Sequence, residues 1–220
     1  MMETTRVDAL LIAAMLVGAV LPGGLQTVAA HDAHHHAAPT PADAKAQAAR
    51  VTLYDNELVD LDGHAVRFKS EAVDDRIVVV DFIYTSCTTI CPITSAIFSE
   101  VQQRLIERLG ERFGRDVKLV SLTVDPATDT PERLKDYAAS FGSPTGWLWL
   151  TGDKPKVDKV LTGFGAYAVD FTRHAGAIVV GDARNGDWTR FYGVPNPPDI
   201  VAQVEQLLAA RKSASVSQRK

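Results

Sequence analysis

The chain has 220 residues and a formal net charge of −4 at pH 7, with 46% hydrophobic and 23% charged residues. These values are ordinary for a soluble globular protein of one or two domains, and the dissimilar ends favour a single folded core. Neither the charge nor any basic stripe interleaved with aromatic residues indicates a nucleic-acid partner, so that function class is excluded.

The first segment, residues 1–30, has the features of an export signal. An apolar run covers residues 9–21, and a Pro-Gly-Gly turn and small residues follow it up to Ala30. This order is typical of a signal peptide with an A-x-A-like cleavage site, and the run is short for a membrane-spanning helix. Because acidic residues flank Arg6, the basic n-region is weak and an uncleaved membrane anchor is the alternative. Either interpretation predicts that the folded part lies outside the cytoplasm, where a cysteine pair can be oxidised.

Residues 31–48 form a segment rich in His, Ala and Pro. It carries four of the six histidines, namely His31, His34, His35 and His36. Two interpretations stay open, a flexible linker without a specific role or a tract that binds metal weakly.

The folded core is predicted over residues 49–210 and begins with a β-hairpin. Apolar residues of Val51–Phe68 flank Asp62-Gly63, which is a type I′ turn signal. His64 stands beside this turn and is predicted to be an exposed turn residue rather than a ligand.

The run Ile77–Tyr84 predicts a strand buried on both faces. It consists of apolar, mainly β-branched residues and is broken only by Asp81. Apolar residues then recur every four positions from Ile93 to Leu109, which predicts an amphipathic helix. The next β-branched run, Val117–Val124, completes a βαβ unit.

The remaining elements predict one α/β domain with a central mixed sheet and helices on both faces. Thr130 and Pro131 predict a helix start, because the first can cap and the second suits the first turn. Further on, the patterns predict a short strand at Trp147–Leu150, a helix around 157–164, a hairpin at 177–192 and a last helix opening at Pro197-Pro198. Residues 211–220 are basic and Ser-rich, which predicts a disordered tail.

Both cysteines of the chain, Cys87 and Cys91, lie on the short polar turn after the central strand. Pro92 suits the first position of a helix and disfavours the α region for Cys91, so both cysteines are predicted on a loop that enters a helix N-terminus. That loop lies at the carboxyl end of a central strand, where open α/β sheets place their chemistry. The helix dipole would favour a thiolate there.

A pair of cysteines at i, i+4 allows a structural disulfide, a redox pair or a metal clamp. A five-residue ring removes little entropy from the unfolded chain, so a purely structural role is disfavoured. A thioredoxin-type pair is normally spaced C-x-x-C. The peroxiredoxin pattern P-x-x-x-T-x-x-C fails because Tyr84 stands where proline is needed. As metal ligands, two thiolates favour Cu(I), zinc or iron–sulfur chemistry, and the core offers only His64 and His174 as imidazole donors.

Three stretches of the chain resemble the Sco/SenC family. They are DFIYTSCTTICP, the segment VDPATDTPERLKDYAASFG followed by WLWLTGD, and the stretch from His174 to Tyr192. The resemblance covers most of Tyr54–Leu208, and the spacing of the three stretches is specific.

The resemblance implies a thioredoxin-like fold, exported or membrane-tethered, that binds copper through Cys87, Cys91 and His174. It implies a metallochaperone that assists assembly of the binuclear copper centre of cytochrome c oxidase, with the copper-bearing subunit or another copper chaperone as partner. The expected location is the periplasm, soluble or tethered to the membrane, or alternatively the mitochondrial intermembrane space. Asp125 and Asp129 match an acidic segment of the family near the site, and turn or helix-cap chemistry explains them equally well.

Two other functions use the same residues. One is an extracytoplasmic thiol–disulfide oxidoreductase, an enzyme that reduces the cysteines of a copper-receiving protein. The other is a redox or copper sensor. His174 and the acidic segment favour the chaperone, because a redox pair by itself needs neither.

Overall fold

Residues 77–83 form the central strand of a six-stranded sheet, and all seven side chains of this strand are buried. The sequence IVVVDFI explains this position, because β-branched residues suit a pleated surface that is covered on both faces. The structure is a computed structural model and describes residues 45–142, 145–173 and 176–217.

The described part of the chain contains eight strands and four α-helices. The strands are β1 (Lys45–Ala49), β2 (Glu57–Val59), β3 (Ala65–Arg67), β4 (Ile77–Ile83), β5 (Val117–Thr123), β6 (Trp147–Leu150), β7 (Ala177–Asp182) and β8 (Asp187–Tyr192). The helices are α1 (Ile90–Leu109), α2 (Pro131–Ala138), α3 (Lys154–Gly163) and α4 (Pro197–Ser217). Short helical turns lie at Phe68–Val73, Gly110–Arg112 and Phe171–Arg173.

The large sheet has the strand order β1-β8-β7-β4-β5-β6. Strand β4 is parallel to β5, to which α1 connects it, and antiparallel to β7. The predicted mixed sheet, the βαβ unit and the hairpin of β7 and β8 are therefore confirmed. The predicted N-terminal hairpin is also confirmed, since β2 and β3 pair with each other in a separate two-stranded sheet.

Two apolar layers cover the sheet, one on each face. Because side chains alternate along a strand, Ile77, Val79 and Ile83 of β4 face one layer, which includes residues of α1, α2 and α4. Val78, Val80 and Phe82 face the other, which includes residues of α3 and the hairpin. Both cysteines belong to the first layer, so the chemistry lies on the face that α1 covers.

The predicted start of α2 is confirmed in detail. Thr130 is the N-cap, and its side chain accepts a hydrogen bond from the Arg133 N–H at 3.3 Å. Pro131 occupies the first helical position, where its missing N–H costs no hydrogen bond.

Three boundaries differ from the sequence prediction. Residues 45–48 belong to the predicted linker, but together with Ala49 they form β1, an edge strand that pairs antiparallel with β8. Its sequence, KAQAA, has no β-branched or aromatic residues and therefore carries no strand signal. The strand forms because main-chain hydrogen bonds to β8, which do not depend on residue type, hold it at the edge of the sheet. The hairpin loop spans residues 60–64 instead of a two-residue turn, and the Asp60 carboxylate accepts hydrogen bonds from the Asp62 and His64 N–H groups. His64 is exposed, as predicted.

The disordered tail predicted from Arg211 is wrong for residues 211–217, because α4 continues to Ser217. Arg211 gives the physical reason. Its guanidinium makes two hydrogen bonds, at 2.5 and 2.6 Å, to the buried carboxylate of Asp182 at the end of β7. This contact ties the last turns of α4 to the sheet.

Among the described residues, no helix is long and apolar enough to cross a membrane. The predicted export segment at 1–30, the histidines at 31–36 and the last three residues of the tail lie outside the described residues.

Candidate metal and thiol site

The two cysteines lie where the central strand passes into α1. Strand β4 ends at Ile83, and α1 begins at Ile90 with Thr89 as its N-cap. Cys87 is on the loop between them, whereas Cys91 is the second residue of the helix. The prediction that Pro92 would keep Cys91 outside the helix is therefore wrong. A proline is tolerated anywhere in the first turn, since the N–H groups there have no intrahelical acceptor.

The sulfur of Cys87 takes the place of a helix cap. The Cys91 N–H donates a hydrogen bond to Cys87 Sγ at 3.4 Å, and Thr89 makes no side-chain cap. Thr89 Oγ1 is 3.7 Å from the same sulfur. Both cysteines are free thiols, 5% and 1% exposed respectively. The positive end of the α1 dipole is thus directed at Cys87 Sγ.

These contacts separate the acidities of the two thiols. Burial acts to raise the pKa of Cys87, but hydrogen bonds from the side chain and N–H of Cys91 and from Thr89 outweigh burial and lower it to about 7. Burial raises the pKa of Cys91, and the neighbouring Cys87 raises it further. The pair therefore consists of one thiol that ionises near neutral pH and one that keeps its proton.

Tyr84 borders the same loop. Burial, followed by the Cys87 thiol, raises the pKa of Tyr84 to about 12, so its phenol stays neutral beside the cysteines. The ring of Phe171 packs against the ring of Tyr84 with centroids 5.2 Å apart.

Asp129 fastens the cysteine loop to the loop after β5. Its carboxylate accepts hydrogen bonds from the Thr85 N–H at 3.2 Å, the Thr85 hydroxyl at 2.6 Å and the Thr123 hydroxyl at 2.5 Å. Burial raises the pKa of Asp129, and these hydrogen bonds oppose the shift. Thr85 is two residues before Cys87, so these hydrogen bonds hold the cysteine loop in place. This structural role is sufficient to explain why Asp129 lies here. A metal-binding role for Asp129 stays a prediction.

Asp125 belongs to the same corner of the structure. It is buried, and its N–H donates a hydrogen bond to the Thr123 hydroxyl at 2.9 Å. Its carbonyl oxygen accepts from the N–H groups of Thr128 and Asp129, which is turn chemistry. Its role as a ligand likewise stays a prediction.

The sequence interpretation passed over Asp81 as a functional residue. This carboxyl lies in the middle of β4, is 1% exposed, and neither of its oxygens has a hydrogen-bond partner among the described residues. Burial raises its pKa to about 7, against a smaller opposing effect of the neighbouring Ser121 hydroxyl. Its negative charge in turn raises the pKa of Cys91 and of Tyr137. The signal in the sequence was the single charge in an otherwise apolar strand.

His174 lies outside the described residues, and so does Ala175. The residues on either side of this gap lie beside the cysteine loop. Phe171 packs on Tyr84, and a Cβ placed on Gly176 would be 3.5 Å from Cγ1 of Ile90, the residue before Cys91. Among the described residues, no group of three or more His, Cys, Asp or Glu is arranged to hold a metal ion.

The fold and the site together define a thioredoxin-like α/β domain with a thiol pair at the N-terminus of the helix that follows the central strand. The SCO1/SenC family model matches residues 44–209. The chain belongs to the SCO1/SenC family.

Solved structures of the family align over most of this domain. A SCO1/SenC family lipoprotein from Bacillus anthracis is 26% identical, with 74% of this chain and 98% of that chain covered and a TM-score of 0.62. BsSco, described as a member of the Sco family of cytochrome c oxidase assembly proteins with a disulfide switch, is 26% identical over 73% of this chain and 95% of its own (TM-score 0.59). Bradyrhizobium japonicum ScoI with copper bound is 26% identical over 69% and 96% (TM-score 0.55).

The sequence match to curated relatives is shorter. The SCO1 protein homolog of Bacillus subtilis is 36% identical over 83 residues, which are 37% of this chain and 40% of that protein. The chain thus spans less than two thirds of the length of the curated relatives that it matches.

Proposed function

We propose that this protein is a copper metallochaperone that binds one copper ion through Cys87, Cys91 and His174. The observation that carries the proposal is the geometry of the thiol pair. Two soft sulfur donors lie on one turn, in hydrogen-bond contact through the Cys91 N–H, with one of them ionised near neutral pH. Such donors suit Cu(I), and an imidazole suits both copper states. The copper-bound ScoI relative supports the choice of metal.

The described neighbours of His174 in the chain support its choice as the third ligand. Phe171 packs on Tyr84, and a Cβ on Gly176 would be 3.5 Å from Ile90. Metal binding releases the proton of Cys91. With two thiolates and a neutral imidazole, the site then has a net charge of −1 with Cu(I) and 0 with Cu(II). Neither oxidation state therefore leaves a large uncompensated buried charge. Three ligands also leave a coordination position open for transfer of the ion.

We propose that the recipient is the copper-bearing subunit of cytochrome c oxidase or another copper chaperone. The description of BsSco as a member of an oxidase assembly family supports this partner. An extracytoplasmic location, tethered to a membrane or free in the periplasm, agrees with the composition of residues 1–30 and with the lipoprotein relative.

One observation favours thiol–disulfide exchange as a second function. A thiol with a pKa of about 7 next to one with a raised pKa suits a nucleophile and a resolving cysteine. Cys87 thiolate would attack a disulfide of the recipient, and Cys91 would then displace the recipient thiolate. The recipient gains two electrons and two protons as a dithiol, and this chain becomes a Cys87–Cys91 disulfide that an external thiol reductant must reopen.

The test is copper binding by the reduced full chain under anaerobic conditions, measured by native mass spectrometry in competition with a chelator. We expect one Cu(I) in the wild type and loss of tight binding in Cys87→Ser and Cys91→Ser. His174→Ala should still bind Cu(I), which accepts two thiolates, but should lose the thiolate-to-Cu(II) charge-transfer absorption. His64→Ala is the matched control, because His64 is exposed on the hairpin loop.

Two results would contradict the proposal. A His174→Ala spectrum and Cu(II) affinity equal to those of the wild type would remove His174 from the site. Loss of all copper after replacement of the histidines at 31 and 34–36 by glutamine would identify that tract, not the cysteines, as the binder.

A further inference from the structure

A second site lies at the opposite end of the sheet from the cysteines. The cysteine loop follows the last residue of β4, whereas Ile77, the first residue of β4, is in register with Val117, the start of β5, and Asp182, the end of β7. At this far end there is a pocket of about 390 Å³ between the segment before β4, the turn before β5, the β7–β8 turn and the last turns of α4.

The lining of this pocket, which we call the basic pocket, has a net positive charge, whereas the net charge of the whole chain is negative. Three carboxylates line it, those of Asp74, Asp75 and Asp116, and Asp182 lies behind Arg211. With these four acids counted against six cations, the basic pocket has a net charge of +2, although the whole chain has −4. The cations are Arg76, Arg112, Arg115, Arg184, Arg211 and Lys212.

The ion pairs leave donors available in the pocket. Arg112 and Arg115 share one carboxylate, that of Asp116, and each uses only its Nε, at 2.7 and 2.9 Å. Their Nη groups donate to none of the described residues, and Lys212 makes no ion pair with any of them.

The main chain around the pocket is fixed in an unusual conformation. Asp74 has φ 41°, the single positive φ outside glycine in the described part of the chain. Its N–H donates to the Lys69 carbonyl at 2.6 Å, and Arg76 Nε donates to the Arg115 carbonyl at 3.1 Å. Arg76 thus joins the segment before β4 to the turn before β5. Strained positions of this kind persist where the surrounding structure holds them and often mark binding sites.

We propose that the basic pocket binds a phosphate-type oxyanion, held by the guanidinium groups of Arg112 and Arg115 and the ammonium group of Lys212. Planar guanidinium groups match the oxygens of a phosphate with two parallel hydrogen bonds. A dianion would neutralise the excess charge of the pocket. The pocket and the cysteine loop lie at opposite ends of β4, so this site shares no residue with the proposed copper site. The oxyanion can belong to a soluble compound or to an anionic lipid headgroup.

The chain offers a variant that removes charge without leaving a carboxylate unpaired. In Arg115→Gln/Lys212→Gln, Asp116 keeps Arg112 as its partner and Lys212 had none, so the fold should be retained. Arg104→Gln/Lys45→Gln is the matched control. It also removes two positive charges. One belongs to Arg104, in an exposed ion pair of α1, and the other to Lys45, the first residue of β1, which lies at the cysteine end of the sheet. Thermal unfolding midpoints of both variants equal to that of the wild type would show that neither has lost its fold.

Binding of inorganic pyrophosphate to the full-length chain is measured by isothermal titration calorimetry at low salt, where screening is weak. We expect one saturable site in the wild type and the control, and a Kd raised by roughly tenfold or more in the Arg115/Lys212 variant. A second arm measures co-sedimentation with vesicles of phosphatidylglycerol or phosphatidylcholine. A preference for phosphatidylglycerol that only this variant loses, without pyrophosphate binding, would assign the headgroup as the oxyanion source.

Two results would overturn the inference. One is a wild type that binds no pyrophosphate and shows no preference for phosphatidylglycerol. The other is an equal weakening in both double variants, which would show that net charge, and not the basic pocket, determines the binding.

Discussion

Replacing Asp81 by Asn should make the protein more stable at neutral and alkaline pH. The wild-type carboxyl is fully buried in β4 without a hydrogen-bond partner among the described residues. Asn has nearly the same shape but cannot ionise. The substitution therefore removes the cost of a buried charge and leaves the packing of the central strand in place.

The size of the effect follows from the pKa of this carboxyl. In an unfolded chain an aspartate titrates near pH ~3.9, whereas in the folded protein burial raises the pKa to about 7. As the pH rises, the unfolded state releases this proton first, so the free energy of unfolding falls between about pH 4 and about pH 7 and then levels off. At 1.36 kcal/mol per pKa unit, a shift of about three units lowers it by about 4 kcal/mol.

The assay is urea unfolding of the reduced wild type and of Asp81→Asn across this pH range. Other groups titrate in both proteins, so the informative quantity is the difference between the two free energies of unfolding. We expect this difference to increase in favour of the variant by about 4 kcal/mol from about pH 4 to about pH 8. Asp136→Asn, which removes an exposed carboxylate from α2, controls for the loss of one negative charge. A difference that does not change with pH would refute a raised pKa for Asp81.

Two further predictions concern the cysteine loop. In the reduced protein, the rate of alkylation of Cys87 by iodoacetamide should rise with pH around a midpoint of about 7, and Cys91 should react far more slowly. The hydrogen bonds to Cys87 Sγ favour its thiolate, whereas burial disfavours the thiolate of Cys91. Peptide mass spectrometry measures both rates, and equal pH profiles would contradict the difference in acidity. Asp129→Ala should lower the free energy of unfolding by about 2 kcal/mol or more, since it leaves the Thr85 and Thr123 donors without their acceptor. Asp129→Asn keeps an acceptor oxygen and should lower the free energy of unfolding by less. An alanine variant as stable as the wild type would refute the role of Asp129 in holding the loop.

Local patterns in the sequence were enough to predict most of the fold. The continuous apolar, mainly β-branched run Ile77–Ile83, the four-residue repeat of α1 and the Thr130-Pro131 start of α2 each depend on residues that are close along the chain. The position of the cysteine loop directly after the central strand could be predicted for the same reason. Where the local signal was absent or ambiguous, the prediction was wrong, as for the edge strand β1 and for the helical continuation of α4.

The tertiary structure decided which polar groups meet and how deeply they are buried. Asp129 reaches Thr85 across 44 residues of the chain, and Arg211 reaches Asp182 across 29, which no local pattern encodes. The contact between the Cys91 N–H and the Cys87 sulfur is local, four residues along the chain, but the burial that raises the pKa of Cys91 comes from tertiary packing. Electrostatic effects depend on distance and on exclusion of water, and both of these are set by packing and not by the order of residues.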